Sequence, residues 1–77
     1  MNLYIRKEEE NILLGTFFKT TRQNLNLSQV EVANNTSISQ AVISRIENCM
    51  LNPSLEHYVL LKKCYGFSNE EIIFENN

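Results

Sequence analysis

The sequence predicts an all-α domain of five short helices, and three observations carry that prediction. Apolar residues recur at three- and four-residue intervals, the spacing of one helix face, while strand-like alternation is scarce. Helix-start signals stand ahead of the apolar runs, at Ser28, Ser39, Asn52-Pro53-Ser54 and Ser68. Breakers are few, with two glycines and one proline in 77 residues. A chain of this length forms one domain with a small core, and such domains gain stability by oligomerising.

Residues 1–7 form an N-terminal arm, in which Met1 to Ile5 alternates weakly and suits a short strand, a helix extension or a mobile segment equally. The first helix should run from about Glu8 to Asn24, with Leu14, Phe18, Thr21 and Leu25 along one face. Asn24-Leu25-Asn26-Leu27 breaks it. Ser28 followed by Glu31 is a capping-box signature, so a second helix starts there and buries Val32 and Ala33. Asn34-Asn35-Thr36-Ser37 supplies turn chemistry, and Ser39 caps a third helix reaching about Asn48. Asn52-Pro53-Ser54 opens a fourth helix with Leu55, Tyr58, Leu61 and Tyr65 inward and Gly66 as its stop. Ser68-Asn69-Glu70-Glu71 is a second capping box, starting a fifth helix that carries Ile72, Ile73 and Phe74.

Charge is distributed unevenly. The formal net charge is −2, with Glu8-Glu9-Glu10 near one end and Glu70, Glu71 and Glu75 near the other. Between Asn11 and Leu55 lie Lys19, Arg22 and Arg45 against Glu31 and Glu47, a slightly basic middle. That middle tolerates nucleic acid without advertising for it. No apolar run is long enough to span a bilayer, and no secretory leader is evident, so a reduced, cytoplasmic protein is expected.

The third helix is the most informative element. At about 100° per residue, Gln40, Ala41, Ser44, Arg45 and Asn48 fall within an arc of roughly 140°. Ser39, Val42, Ile43, Ile46 and Glu47 occupy the other side. The first arc holds side chains that read base edges: Gln pairs with adenine, Arg with guanine, Ala meets a thymine methyl, and Ser or Asn adapts. Taken alone, such a window is more often an amphipathic helix whose polar side faces water.

From Leu14 to Ile72 the chain resembles the helix-turn-helix domain of the Cro and phage-repressor family of bacterial and phage regulators. The resemblance rests on Leu14-Gly15, Arg22, Leu27-Ser28-Gln29, Val32-Ala33, Ile38-Ser39, Ile43-Ser44-Arg45-Ile46-Glu47-Asn48, Asn52-Pro53-Ser54-Leu55 and Tyr65-Gly66, in order and spacing. It implies a compact, lambda-repressor-like five-helix domain with the helix-turn-helix at residues 28–48. It further implies that Gln40, Ala41, Ser44 and Arg45 face bases in the major groove. Gln29 would contact phosphate and brace Gln40, while Lys19, Asn48 and Asn52 are further candidate phosphate contacts. Arg22 and Glu47 match a family pair that forms a partly buried salt bridge, whereas the sequence alone reads both as solvated charges.

The chain departs from the family pattern in four places. Ser37 and Cys49 stand where glycine is usual and left-handed backbone is common, so modest strain is expected. Lys62 replaces a small apolar residue, and its stem must snorkel past the core. Phosphate-contacting cations are few, and Met50 and Leu51 occupy a loop where the family often has a basic residue. Modest affinity and reliance on dimerisation follow.

Nothing points to catalysis. Cys49, His57 and Cys64 lack the number and spacing of a zinc site, and no nucleophile signature or glycine-rich phosphate loop is present. No enzyme activity, cofactor, metal or small-molecule effector is expected. Phe67, Ile72, Ile73 and Phe74 either close the core or form a symmetric dimer contact across residues 67–77, which Leu60 and Cys64 would extend. Phe17 with Leu3-Tyr4-Ile5 is a second candidate surface.

The leading expectation is a transcriptional regulator, a repressor or controller protein, binding a palindromic double-stranded DNA operator as a homodimer. The alternative is a helix-turn-helix-fold interaction module, such as an antirepressor or anti-restriction factor, that docks on a protein through its acidic ends.

Overall fold

Local capping chemistry divides the chain into helices. The computed structural model describes residues 7–67, in which α1 spans Lys7–Asn24, α2 Gln29–Thr36, α3 Gln40–Glu47 and α4 Leu55–Cys64. No strand occurs among the described residues. Residues 1–6 of the expected arm and the fifth helix lie outside them, and with that helix Ile72, Ile73 and Phe74.

Each of the three shorter helices is opened by a serine. Ser28 Oγ accepts from Glu31 N at 3.0 Å while Ser28 N donates to Glu31 Oε1 at 2.8 Å, a complete capping box. Ser39 Oγ accepts from Val42 N at 3.2 Å, and Ser54 Oγ from His57 N at 3.1 Å. Each cap satisfies one otherwise orphaned donor and contributes about 1 kcal/mol.

Among the described residues each helix is followed within two residues by a left-handed one, and only one of these is glycine. The residues are Asn26 (φ 59°), Ser37 (φ 65°), Cys49 (φ 62°) and Gly66 (φ 91°). After α1, Leu27 N donates to Arg22 O at 3.2 Å and Asn26 N to Gln23 O at 3.0 Å. The same paired pattern closes α3, from Met50 N to Arg45 O and Cys49 N to Ile46 O, and α4, from Phe67 N to Lys62 O and Gly66 N to Lys63 O. These are Schellman closures, which satisfy the last carbonyls while reversing the chain sharply. Ser37 makes the simpler version, with its N–H on Ala33 O at 2.9 Å.

The core is one cluster drawn from all four helices and the α2–α3 turn: Phe18, Val32, Ile38, Ile43, Ile46, Leu61 and Tyr65. Burying a side chain the size of Ile43 stabilises the fold by about 1.5–3 kcal/mol. Thr36 is buried too, but its hydroxyl donates to Val32 O at 2.7 Å and accepts from Ile38 N at 3.2 Å. A buried hydroxyl with both functions used costs little.

Three expectations at helix ends differ from the structure. Leu25 is 46% exposed and Leu55 70% exposed, so neither faces inward. Leu25 lies beyond the last residue of α1, where the chain already turns toward Asn26, and Leu55 is the first residue of α4. Helical periodicity continues a face that the helix end no longer has. Asn34, Asn35 and Thr36 belong to α2, so the turn to α3 is only Ser37-Ile38-Ser39. Thr36 holds the helix by bonding back to Val32 O four residues earlier.

Lys62 does not snorkel out. It is 4% exposed, and its ammonium lies 4.5 Å from the Phe67 ring centroid and 5.3 Å from those of Phe17 and Tyr58. Aromatic faces offset part of the cost of burying an ammonium. Phe67 is thereby half-buried against its own chain, 5.7 Å from the Phe17 ring centroid.

Candidate nucleic-acid interface

One face of α3 anchors it. Ile43, Ile46 and Glu47 are buried, with Val42 half-buried beside them. On the other side Gln40, Ala41, Arg45 and Asn48 are exposed and Ser44 is half-buried. Asn48 Nδ2 donates to Ser44 Oγ at 3.3 Å, joining two of these side chains one turn apart. No ion pair occupies Arg45 among the described residues, which leaves its guanidinium available to a ligand.

A buried ion pair ties α1 to α3. Arg22 Nε donates to Glu47 Oε2 at 2.7 Å and Arg22 Nη2 to Glu47 Oε1 at 2.9 Å, a two-pronged contact. Arg22 Nη1 donates to Leu27 O at 2.8 Å, so the same guanidinium also holds the α1–α2 turn. The Glu47 side chain is 2% exposed and that of Arg22 11%. Hydrogen bonding to Glu47 outweighs desolvation and lifts Arg22 further above its already high pKa.

Tyr65 lies near this pair. Its Oη is buried without a hydrogen-bond partner among the described residues. Burial, then the Glu47 charge, pushes the phenol well above the usual tyrosine range. Burial raises the Cys64 thiol as well, against a hydrogen bond with the Asn35 side chain.

Gln29, the first residue of α2, bridges the two readable elements. Its Nε2 donates to Glu47 Oε1 at 3.1 Å, and its Oε1 lies 3.5 Å from Gln40 Nε2 at the start of α3. Gln29, Gln40, Glu47 and Arg22 therefore form one connected polar chain from the surface into the interior. Lys19 on α1 and Asn52 after α3 are exposed. Of the residues singled out in the sequence, this structure brings Gln29, Gln40, Glu47 and Arg22 into bonding contact. It also joins Ser44 to Asn48.

Sequence reasoning missed the Gln29–Glu47 bond, the Leu27 carbonyl as an Arg22 acceptor and the Lys62 ring contacts. The Gln29–Glu47 bond and the Lys62–Phe17 contact depend on how separate helices cross, for which no local pattern exists, whereas the Leu27 acceptor depends on how the chain turns after α1. Among the described residues no group of three or more His, Cys, Asp or Glu could hold a metal ion, and no helix is long and apolar enough to cross a membrane.

A surface with adaptable amides, one unpaired guanidinium and the unsatisfied N–H groups of two helix starts can bond base edges and anionic oxygens. A family model described as a helix-turn-helix domain matches residues 13–72. No curated protein and no solved structure matches the chain.

Proposed function

As the chain belongs to the helix-turn-helix domain family, we propose that it is a sequence-specific DNA-binding regulator of the Cro and phage-repressor type. It acts as a repressor or controller protein, binding a palindromic operator as a homodimer through the major groove. The observation that carries this reading is α3 itself, fixed by Ile43, Ile46 and Glu47 and exposing Gln40, Ala41 and Arg45 beside the start of α2.

In this reading Gln40, Ala41, Ser44 and Arg45 contact bases. Gln29 anchors a phosphate through its side chain and its helix-start N–H, assisted by Lys19, Asn48 and Asn52. Two recognition helices about 34 Å apart would then address successive major grooves on one face of the duplex. Phe67 with Ile72, Ile73 and Phe74 supplies the symmetric contact. The protein works in the cytoplasm of a bacterium or phage-infected cell, and the reading assigns it no catalysis, cofactor or effector.

One observation favours a second reading, in which the fold docks on a protein. Met50 is 69% exposed and Leu55 70% exposed, close in sequence to the end of α3, where a phosphate-binding loop would more usefully carry cations. Selection of bound fragments from random double-stranded DNA, followed by salt titration, separates the two. A recovered palindrome whose affinity falls steeply with salt supports the regulator, and no enrichment overturns it in favour of the protein-docking module.

A further inference from the structure

The exposed amide of Gln40 is chained to a buried carboxylate. Glu47 is 5% exposed, and Arg22 holds both of its oxygens. A carboxylate can only accept hydrogen bonds. Gln29 must therefore turn its amide nitrogen, and not its oxygen, toward Glu47 Oε1 at 3.1 Å. The Gln29 oxygen is left facing Gln40 Nε2 at 3.5 Å. Gln40 thus directs one N–H toward Gln29 and keeps one N–H and its own oxygen for a ligand.

An unconstrained glutamine amide flips freely, presenting oxygen or nitrogen at either position. Here the charge state of a buried residue decides which. We infer that Glu47 is a positioning residue that, acting through Gln29, sets the amide polarity of Gln40 and so selects adenine over guanine at the base pair Gln40 reads. Adenine offers N7 as acceptor beside the N6 donor, matching the remaining N–H and oxygen of Gln40. Guanine offers two acceptors, N7 and O6, and would set O6 against the Gln40 oxygen. The inference rests on the DNA-reading role proposed above.

The test uses the full chain and four proteins: wild type, Gln40→Ala, Glu47→Gln and Gln29→Leu. Each is assayed by competition among duplexes that differ from the enriched operator by single base pairs. Gln40→Ala identifies the base pair that depends on Gln40. Glu47→Gln keeps the shape and an acceptor for Arg22, but it also offers an NH₂ group, so Gln29 can reverse. At the Gln40 position the adenine-over-guanine ratio should then fall roughly tenfold, with other positions unchanged.

Gln29→Leu breaks the middle link and leaves the Arg22–Glu47 pair intact, so it reports even if Glu47→Gln fails to fold. It should weaken overall affinity through the lost phosphate contact and also lose the adenine preference at that one position. Retention of the wild-type adenine preference by the folded variants, or an equal loss at every position, overturns the relay while leaving the DNA reading intact. No enriched sequence with wild type, or no position altered by Gln40→Ala, overturns the DNA reading and the relay with it.

Discussion

Gly15 lies against the backbone of Ile46. A Cβ built at Gly15 would stand 2.5 Å from the Ile46 carbonyl oxygen and 2.9 Å from Cys49 Sγ. The end of the candidate reading helix is therefore seated directly on α1, at a point where only a hydrogen atom fits. Nearby, Arg22 grips Glu47 from the same helix, so α1 fixes α3 by one steric contact and one ionic contact.

Gly15→Ala should destabilise the protein. Alanine gains about 1 kcal/mol of helix propensity over glycine, but overpacking against a rigid carbonyl costs about 1–3 kcal/mol. A net loss of about 1 kcal/mol lowers the melting temperature by about 4–8 °C in a domain of this size. A thermal melt with an unchanged or raised midpoint would show that α1 does not approach α3 this closely.

Arg22→Ala should cost about 3–5 kcal/mol, since it leaves the Glu47 carboxylate buried without its main partner. Glu47 is the more buried of the two, at 2% side-chain exposure. Chemical denaturation measures the loss directly. A change below about 1 kcal/mol is the signature of an exposed pair and would contradict the observed burial.

Ser37→Gly should stabilise. Ser37 is exposed and sits at φ 65°, where a side chain costs about 1–2 kcal/mol that glycine avoids. Glycine's larger unfolded-state entropy takes back part of this, leaving a net gain of about 0.5–1 kcal/mol. A melting temperature that falls on this substitution would mean that the serine side chain makes a contact worth more than the strain.

Tyr65→Phe tests the orphaned hydroxyl and its linkage to pH. Because Tyr65 Oη has no partner among the described residues, removing it should leave stability at pH 7 unchanged or slightly higher. Folding raises the pKa of both Tyr65 and Cys64. A raised folded pKa means the native state binds the proton more tightly. Its stabilisation is full below the unfolded values, about 8.5 for a thiol and 10 for a phenol, and is lost as pH rises through the folded ones. Wild-type stability should fall with rising pH above these values, and Tyr65→Phe should flatten the fall above about pH 10 while the Cys64 part persists. Equal alkaline sensitivity in the two proteins would contradict the assignment.

The helices were legible in the sequence because their signals are local. Ser28 with Glu31, Ser39 and Ser54 each act within three residues, and the apolar spacing of Ile43 and Ile46 marks the buried side of α3 without reference to other helices. Leu25 and Leu55 misled because periodicity has no meaning past a helix end. The candidate site was legible as a set of residue types and, through the resemblance, as the Arg22–Glu47 and Gln29–Gln40 contacts, but not as one connected network. Arg22 and Glu47 are 25 residues apart and Gln29 and Glu47 are 18 apart. Resemblance pairs the first two, but the Gln29–Glu47 bond depends on how α2 packs on α3. Lys62 differs from expectation because the Phe17 ring comes from α1, while Tyr58 and Phe67 lie within five residues of it in sequence.

Amide chemical-shift mapping of the full chain, titrated with the duplex selected from random DNA, locates the binding surface residue by residue. The largest changes should fall on Gln29, Gln40, Ala41, Ser44 and Arg45, and a scrambled duplex of equal length should leave them small at the same salt. Changes that spare α3 and the start of α2, and fall instead on α4 or along α1, would rule out α3 as the reading helix.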